Sequence, residues 1–177
     1  MSTTPTGWLG ERSLDGGIDR IPLPAPVPGA LWLCGKHAIA PHPERALARV
    51  GATTAVCLNE RDELLGRYPG YVAWLDEAVA AGRAVWFPIP DLHYPPLAPA
   101  KALVGELCTR LDGGETLLVH CGAGIGRAGT TAVAVLITLG IDPVAALATV
   151  RTHRPMAGPE AGAQRALIDA LAAEFGS

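Results

Sequence analysis

The chain has 177 residues, 49% of them hydrophobic, and a formal net charge of -3. That length suits one domain with a sizeable core and is short for two. The acidic balance, without any run of lysine or arginine, excludes a general attraction to nucleic acid, and no apolar run approaches the roughly 18 residues of a membrane span. The four cysteines, Cys34, Cys57, Cys108 and Cys121, have no tight pairing pattern. With no basic-then-apolar leader and no prenylation cysteine, they are expected to be reduced thiols of a cytoplasmic protein.

Residues 1–28 are rich in Pro, Gly, Thr and Asp, and Pro22, Pro24, Pro26 and Pro28 alternate at their end. Such a stretch cannot be helical, so an arm is expected, extended or disordered, with Trp8 or Leu9 available to tuck against the domain of residues 29–177. Ala30–Cys34 reads as a first strand, and Pro41 and Pro43 open a short helix that Gly51 stops. Thr53–Leu58 is a second strand, followed by the charged loop Asn59–Glu63. Tyr71–Val79 has apolar residues at helical spacing, and Ala84–Ile89 is a third strand leading into Pro90–Pro96. A helix over 98–111 closes at Asp112-Gly113-Gly114. The apolar run Thr116–Val119, a glycine-rich loop and the apolar stretch 128–137 then read as strand, loop and buried helix. Helices from Pro143 to about Thr152 and from about Glu160 to Ala173 complete the chain. Alternating strands and helices predict a single α/β domain: a mostly parallel central sheet of about 4–5 strands with helices on both faces. Ligands of such sheets bind outside the carboxyl ends of the strands, so residues 59–63, 90–96 and 121–127 are expected to gather on one side.

The loop His120-Cys121-Gly122-Ala123-Gly124-Ile125-Gly126-Arg127 is built for an anion, because backbone N–H groups and a helix N-terminus converge there. Gly122, Gly124 and Gly126 are expected to allow positive φ and close approach of the backbone. Helix N-termini and nearby cations favour the thiolate, and Cys121 has both influences available. Arg127 lies at the loop's far end, where its planar fork can grip two oxygens of one phosphate. In-line attack by Cys121 on phosphorus would give a phosphocysteine intermediate. One carboxylic acid can protonate the leaving group and then activate water. Asp91, in a proline-flanked loop at a strand end, is the first candidate; Asp62, Glu60 and His93 follow it.

These residues carry a family resemblance. His120-Cys121-x5-Arg127, preceded by Phe87-Pro88-Ile89-Pro90-Asp91, resembles the cysteine-dependent dual-specificity branch of the protein tyrosine phosphatases, over most of residues 30–175. Glu63-Leu64 after the charged loop, and Arg151-x-x-Arg154-Pro155 with Gln164 beyond, are similar to the kinase-associated phosphatase type in particular. The resemblance implies Cys121 as nucleophile, Arg127 as phosphate clamp and Asp91 as general acid, with His120 buttressing the cysteine and Gln164 placing the hydrolytic water. The family usually has Ser or Thr directly after the arginine, and here that position is Ala128, as in phosphatases of the regenerating-liver type. Binding and cysteine phosphorylation are expected to survive this change, with slower breakdown of the intermediate.

The expected function is hydrolysis of phosphate monoesters on proteins, phosphotyrosine first, with phosphoserine and phosphothreonine as further substrates. The alternatives are a catalytically weak phosphate-binding module and a phosphatase for a non-protein ester. The loop interior lacks lysine, which weighs against polyphosphoinositides. A phosphorylated protein is the expected partner, for a monomer with no cofactor, metal, nucleic acid or membrane. Cys57 is most simply a core residue; the sharper reading makes it a redox partner that traps Cys121 as a disulfide. Arg151 and Arg154 are left open between structural, solvated and rim positions.

Overall fold

The computed structural model of the protein describes residues 17–176, so Trp8 and Leu9 lie outside the described residues. Five strands form one sheet in the order β1-β2-β5-β3-β4. They are β1 (Ile18–Ile21), β2 (Ala30–Gly35), β3 (Thr54–Cys57), β4 (Ala84–Trp86) and β5 (Thr116–Cys121). Only β1 runs antiparallel to its neighbour. The helices are α1 (Lys36–Ile39), α2 (Pro43–Val50), α3 (Asp62–Leu65), α4 (Pro69–Ala80), α5 (Leu97–Asp112), α6 (Gly126–Thr138), α7 (Pro143–His153) and α8 (Gly162–Phe175). The expected single α/β domain with a mostly parallel sheet is therefore what forms.

Side chains alternate across the strands and divide the core in two. Leu31, Leu33, Val56, Leu117 and Val119 pack with residues of α5, α6, α7 and α8. Cys34, Ala55, Cys57 and Leu118 face the other way, against Ile39, Leu47, Leu64, Tyr71 and Leu75 from α1–α4. In α6 every residue from Gly126 to Ile137 is buried, as befits a helix without a polar face. Its first turn is thereby fixed in place. So is β5, the central strand, whose last pairs are Gly35 with Cys121 and Cys57 with His120.

Several elements differ from expectation. β1, formed inside the proline-rich stretch, is a strand because β2 offers it an edge to pair with. The third strand ends at Trp86 rather than Ile89, since Pro88 has no N–H to give a ladder; Phe87 and Ile89 still donate to the carbonyls of Cys57 and Leu58 at 2.9 and 3.0 Å. β5 runs two residues beyond Val119 and carries His120 and Cys121 at its end. The loop 59–63 closes into the short helix α3.

Candidate active site

Cys121 is the last residue of β5, and only 3% of it is exposed. The four carbonyls that follow are all engaged away from the loop's centre. Gly122 O accepts from Lys36 N at 3.0 Å, and Ile125 O accepts from Gly129 N and Gly158 N, each at 3.0 Å. Arg154 takes the two between: its Nη2 donates to Ala123 O at 2.8 Å and its Nε to Gly124 O at 2.6 Å. In a trans peptide the next residue's N–H points opposite to the carbonyl. The N–H groups of Ala123, Gly124, Ile125 and Gly126 are thus turned inward. Those of Ala123, Gly124 and Ile125 donate to no described residue. This is an oxyanion cradle at the N-terminus of α6.

Of the three loop glycines only Gly124 has positive φ, 71°; the expectation for Gly122 and Gly126 is corrected. Gly124 must also lack a side chain, because a Cβ there would meet the Cys34 carbonyl. At Gly126 a Cβ would overlap the Glu160 carboxylate, which would have to swing aside.

Arg127 is 2% exposed, and its end-on edge is held by Glu63. Nη1 and Nη2 donate to Glu63 Oε2 and Oε1 at 2.7 and 2.9 Å, and Nη1 also reaches Ile89 O at 2.8 Å. Burial opposes the charge on Arg127, but Glu63 and Cys121 more than offset it, so the guanidinium is held charged. Burial would likewise raise Glu63, yet its bonds from Arg127, the Glu60 N–H and Asn59 leave it below the usual carboxylate range. The side-on edge is different. Nε has no hydrogen-bond partner, and Nη2, besides Glu63 Oε1, has Asp91 Oδ1 at 3.3 Å. A buried, unsatisfied donor at a cation calls for an explanation, and a phosphate gripped by Nε and Nη2 supplies one.

Asp91 is 72% exposed, and its Oδ1 also accepts from Leu92 N at 3.0 Å. Its loop is stapled to α6 on both sides. Ile89 O is bound by Arg127, and the buried Tyr94 hydroxyl meets Thr131 Oγ1 at 2.6 Å, which in turn donates to Arg127 O at 2.8 Å. Gln164 is fully buried and donates through Nε2 to His93 O in the same loop at 3.4 Å. The structure thus brings Cys121, Arg127, Asp91 and Gln164 to one end of the sheet. Glu60 and Asp62 stay on the exposed side of the α3 turn, and His93 turns its ring to the Asp91 carbonyl.

His120 is fully buried on the far face, where its Nε2 meets the Tyr71 hydroxyl at 2.6 Å. Burial, with a smaller push from Arg127, drives its pKa down to about 3, against an opposing pull from the Cys121 backbone. His120 is therefore neutral, its ring held against Tyr71, rather than a cation beside the cysteine. Cys57 is also fully buried, and its Sγ approaches Asn59 O at 3.9 Å. Burial pushes its thiol up to about 12, with Cys121 close enough to add to the shift. It packs in the cluster of α1–α4, whereas Cys121 packs with α5–α8.

Sequence reasoning named Glu63 only through the family resemblance, and missed Tyr71 as the partner of His120. Arg154, left open, is structural. It is 1% exposed and bonded at once to the loop carbonyls and to Asp19 Oδ2 of β1, at 2.6 Å. The available signal was the Arg151-x-x-Arg154-Pro155 pattern on which the family resemblance partly rested.

A cysteine at the end of a central parallel strand, an inward-facing amide loop and a buried arginine together define an α/β domain of the cysteine-phosphatase type. Residues 27–170 match PTP-SAK, the Swiss Army Knife DSP-PTPase phosphatase domain, and the chain belongs to that family. Among solved structures it is similar to Tk-PTP in its active form, at 28% identity over 87% of this chain and 96% of that one, with a TM-score of 0.65. Kinase associated phosphatase with its catalytic-site cysteine changed to serine shares 21% identity over 91% and 96%, with a TM-score of 0.71. Human DUSP28 shares 21% over 90% and 95%, with a TM-score of 0.65. No curated protein sequence matches.

Proposed function

We propose that the protein hydrolyses phosphate monoesters on proteins, phosphotyrosine first, through a phosphocysteine on Cys121. The observation that carries this reading is the side-on edge of Arg127, a buried guanidinium edge whose Nε has no partner and which adjoins a ring of inward amides. Phosphate bound there would place phosphorus in front of Cys121, with its charge shared between the amides and Arg127. The P–O bond to the leaving group breaks as the S–P bond forms, and Asp91 protonates the departing oxygen. Water then releases phosphate and restores the thiolate.

PTPMT1, which shares 18% identity with a TM-score of 0.65, has been solved in complex with PI(5)P, so a lipid ester is the second reading. One feature favours the protein ester: the loop interior has no lysine, and Lys36, at the start of α1, is committed to Glu63 O at 3.1 Å. The deciding experiment compares phosphotyrosine, phosphoserine and phosphothreonine peptides with PI(5)P and p-nitrophenyl phosphate. Release from phosphotyrosine peptides that vanishes in Cys121→Ser is expected. Binding without release would favour a pseudophosphatase module, and preference for PI(5)P would favour the lipid.

A further inference from the structure

Ala128 is fully buried and has no hydroxyl to offer a departing thiolate. Thr130, the next nearby hydroxyl, is turned to Gln164 Oε1 at 3.5 Å. The second chemical step therefore depends on how well water is activated. Asp91 is one carboxylate at the site, and the structure holds another.

Glu160 is exposed, yet its Oε2 rests against Gly126, the first residue of α6 and the neighbour of Arg127. The position a Cβ would take at Gly126 is filled by this flexible carboxylate, which a side chain there would displace. Gln164 Nε2 lies 3.3 Å from the same point, so a carboxylate and an amide converge on one rim of the phosphate loop. The Glu160 N–H donates to Gln164 Oε1 at 2.8 Å, which orients that amide and leaves Nε2 facing the Asp91 loop. Among the described residues the Glu160 carboxylate makes no ion pair or hydrogen bond. A carboxylate without a cation, standing at the edge of an anion cradle, works against resting phosphate binding. It is well suited to hold and deprotonate a water facing phosphorus.

We infer that Glu160 is the general base for hydrolysis of the phosphocysteine, leaving Asp91 as the acid of the first step; this rests on the two-step chemistry proposed above. Glu160 accepts one proton from water as the water oxygen bonds to phosphorus. The S–P bond breaks, its electron pair stays on Cys121 as thiolate, and inorganic phosphate leaves. Glu160 then returns the proton to solvent.

The test follows the first turnover and the steady state of p-nitrophenyl phosphate in wild type, Glu160→Gln, Glu160→Asp and Cys121→Ser, with acid-quenched enzyme weighed by mass spectrometry. General-base loss costs about a hundredfold or more when no other group substitutes. Glu160→Gln is expected to keep first-turnover release within about twofold of wild type. Its steady-state rate should fall at least about tenfold, with phosphate accumulating on Cys121 and the carboxylate limb of the kcat–pH profile lost. Glu160→Asp should regain part of the rate. A Glu160→Gln steady-state rate within about twofold of wild type would overturn the assignment, as would equal loss of both phases without phosphoenzyme. Wild type with no Cys121-dependent release would instead overturn the proposed function, and this assignment with it.

Discussion

Replacing Glu63 with glutamine removes the negative charge that faces the buried end of Arg127. The carboxylate accepts four hydrogen bonds: two from Arg127, one from Glu60 N at 2.8 Å and one from Asn59 Nδ2 at 2.9 Å. A neutral amide cannot accept all four. Breaking a buried ion pair by removing one partner costs about 3–5 kcal/mol. The lower end applies, because Glu63 is 23% exposed and Ile89 O and Asp91 remain beside Arg127. For a domain of this size about 3 kcal/mol corresponds to a Tm lower by about 6–12 °C. The same loss frees the guanidinium to leave its phosphate-gripping pose, so kcat/KM for p-nitrophenyl phosphate should fall at least about tenfold. The pH dependence is signed. Because Glu63 is depressed in the folded state, its contribution is fully present above the unfolded value of about 4.3 and is lost as pH falls through the lower folded value. The Tm gap between wild type and Glu63→Gln should therefore be largest at neutral pH and narrow below about pH 4. His120, buried neutral, adds an acid loss that begins near its unfolded value of about 6.5 and is largely common to both proteins. Calorimetry across pH 3–8 reads both effects. A Tm difference under about 1 °C at pH 7, with unchanged kcat/KM, would refute the claim that Glu63 anchors Arg127.

Ala128→Ser should speed phosphocysteine breakdown, raising the steady-state rate with little change in the first turnover; if hydrolysis is no faster, the missing hydroxyl does not limit the reaction. Cys57, packed on the sheet face opposite Cys121's cluster with its thiol pushed up to about 12, should behave as a core residue, so peroxide-treated protein should yield no Cys57–Cys121 peptide by mass spectrometry; a linked peptide would make it a redox partner instead. Arg154→Lys keeps the charge but cannot hold Ala123 O, Gly124 O and Asp19 together. It should reduce vanadate affinity and activity about tenfold or more, and unchanged affinity would mean that the loop holds its shape without Arg154.

What the sequence revealed of the site was what lies close together along the chain. The loop, its strand and its helix are consecutive, and a cysteine, glycines and an arginine at that spacing have few other uses. Asp91 was legible through its loop, because the prolines around it end a strand in a predictable place. The partners that hold the site were harder to read. Arg127 meets Glu63 across 64 positions, His120 meets Tyr71 across 49, and Arg154 meets Ala123 across 31. Nothing local in these side chains names the partner. Only the sheet order, which places β3 beside β5, brings α3 and the phosphate loop together. β1 was hidden for a related reason: four residues flanked by glycine and proline become a strand only when β2 is there to pair with. Glu160 read as the start of a helix until Gly126 showed what lies against it.

The central claim is that Cys121 carries the phosphoryl group. Wild type, quenched in acid during turnover of a phosphotyrosine peptide and digested, gives the most direct test. Phosphate is predicted on the peptide containing Cys121 and absent in Cys121→Ser. Peptide dephosphorylation with no phosphate ever found on Cys121, or turnover that persists in Cys121→Ser, would contradict it.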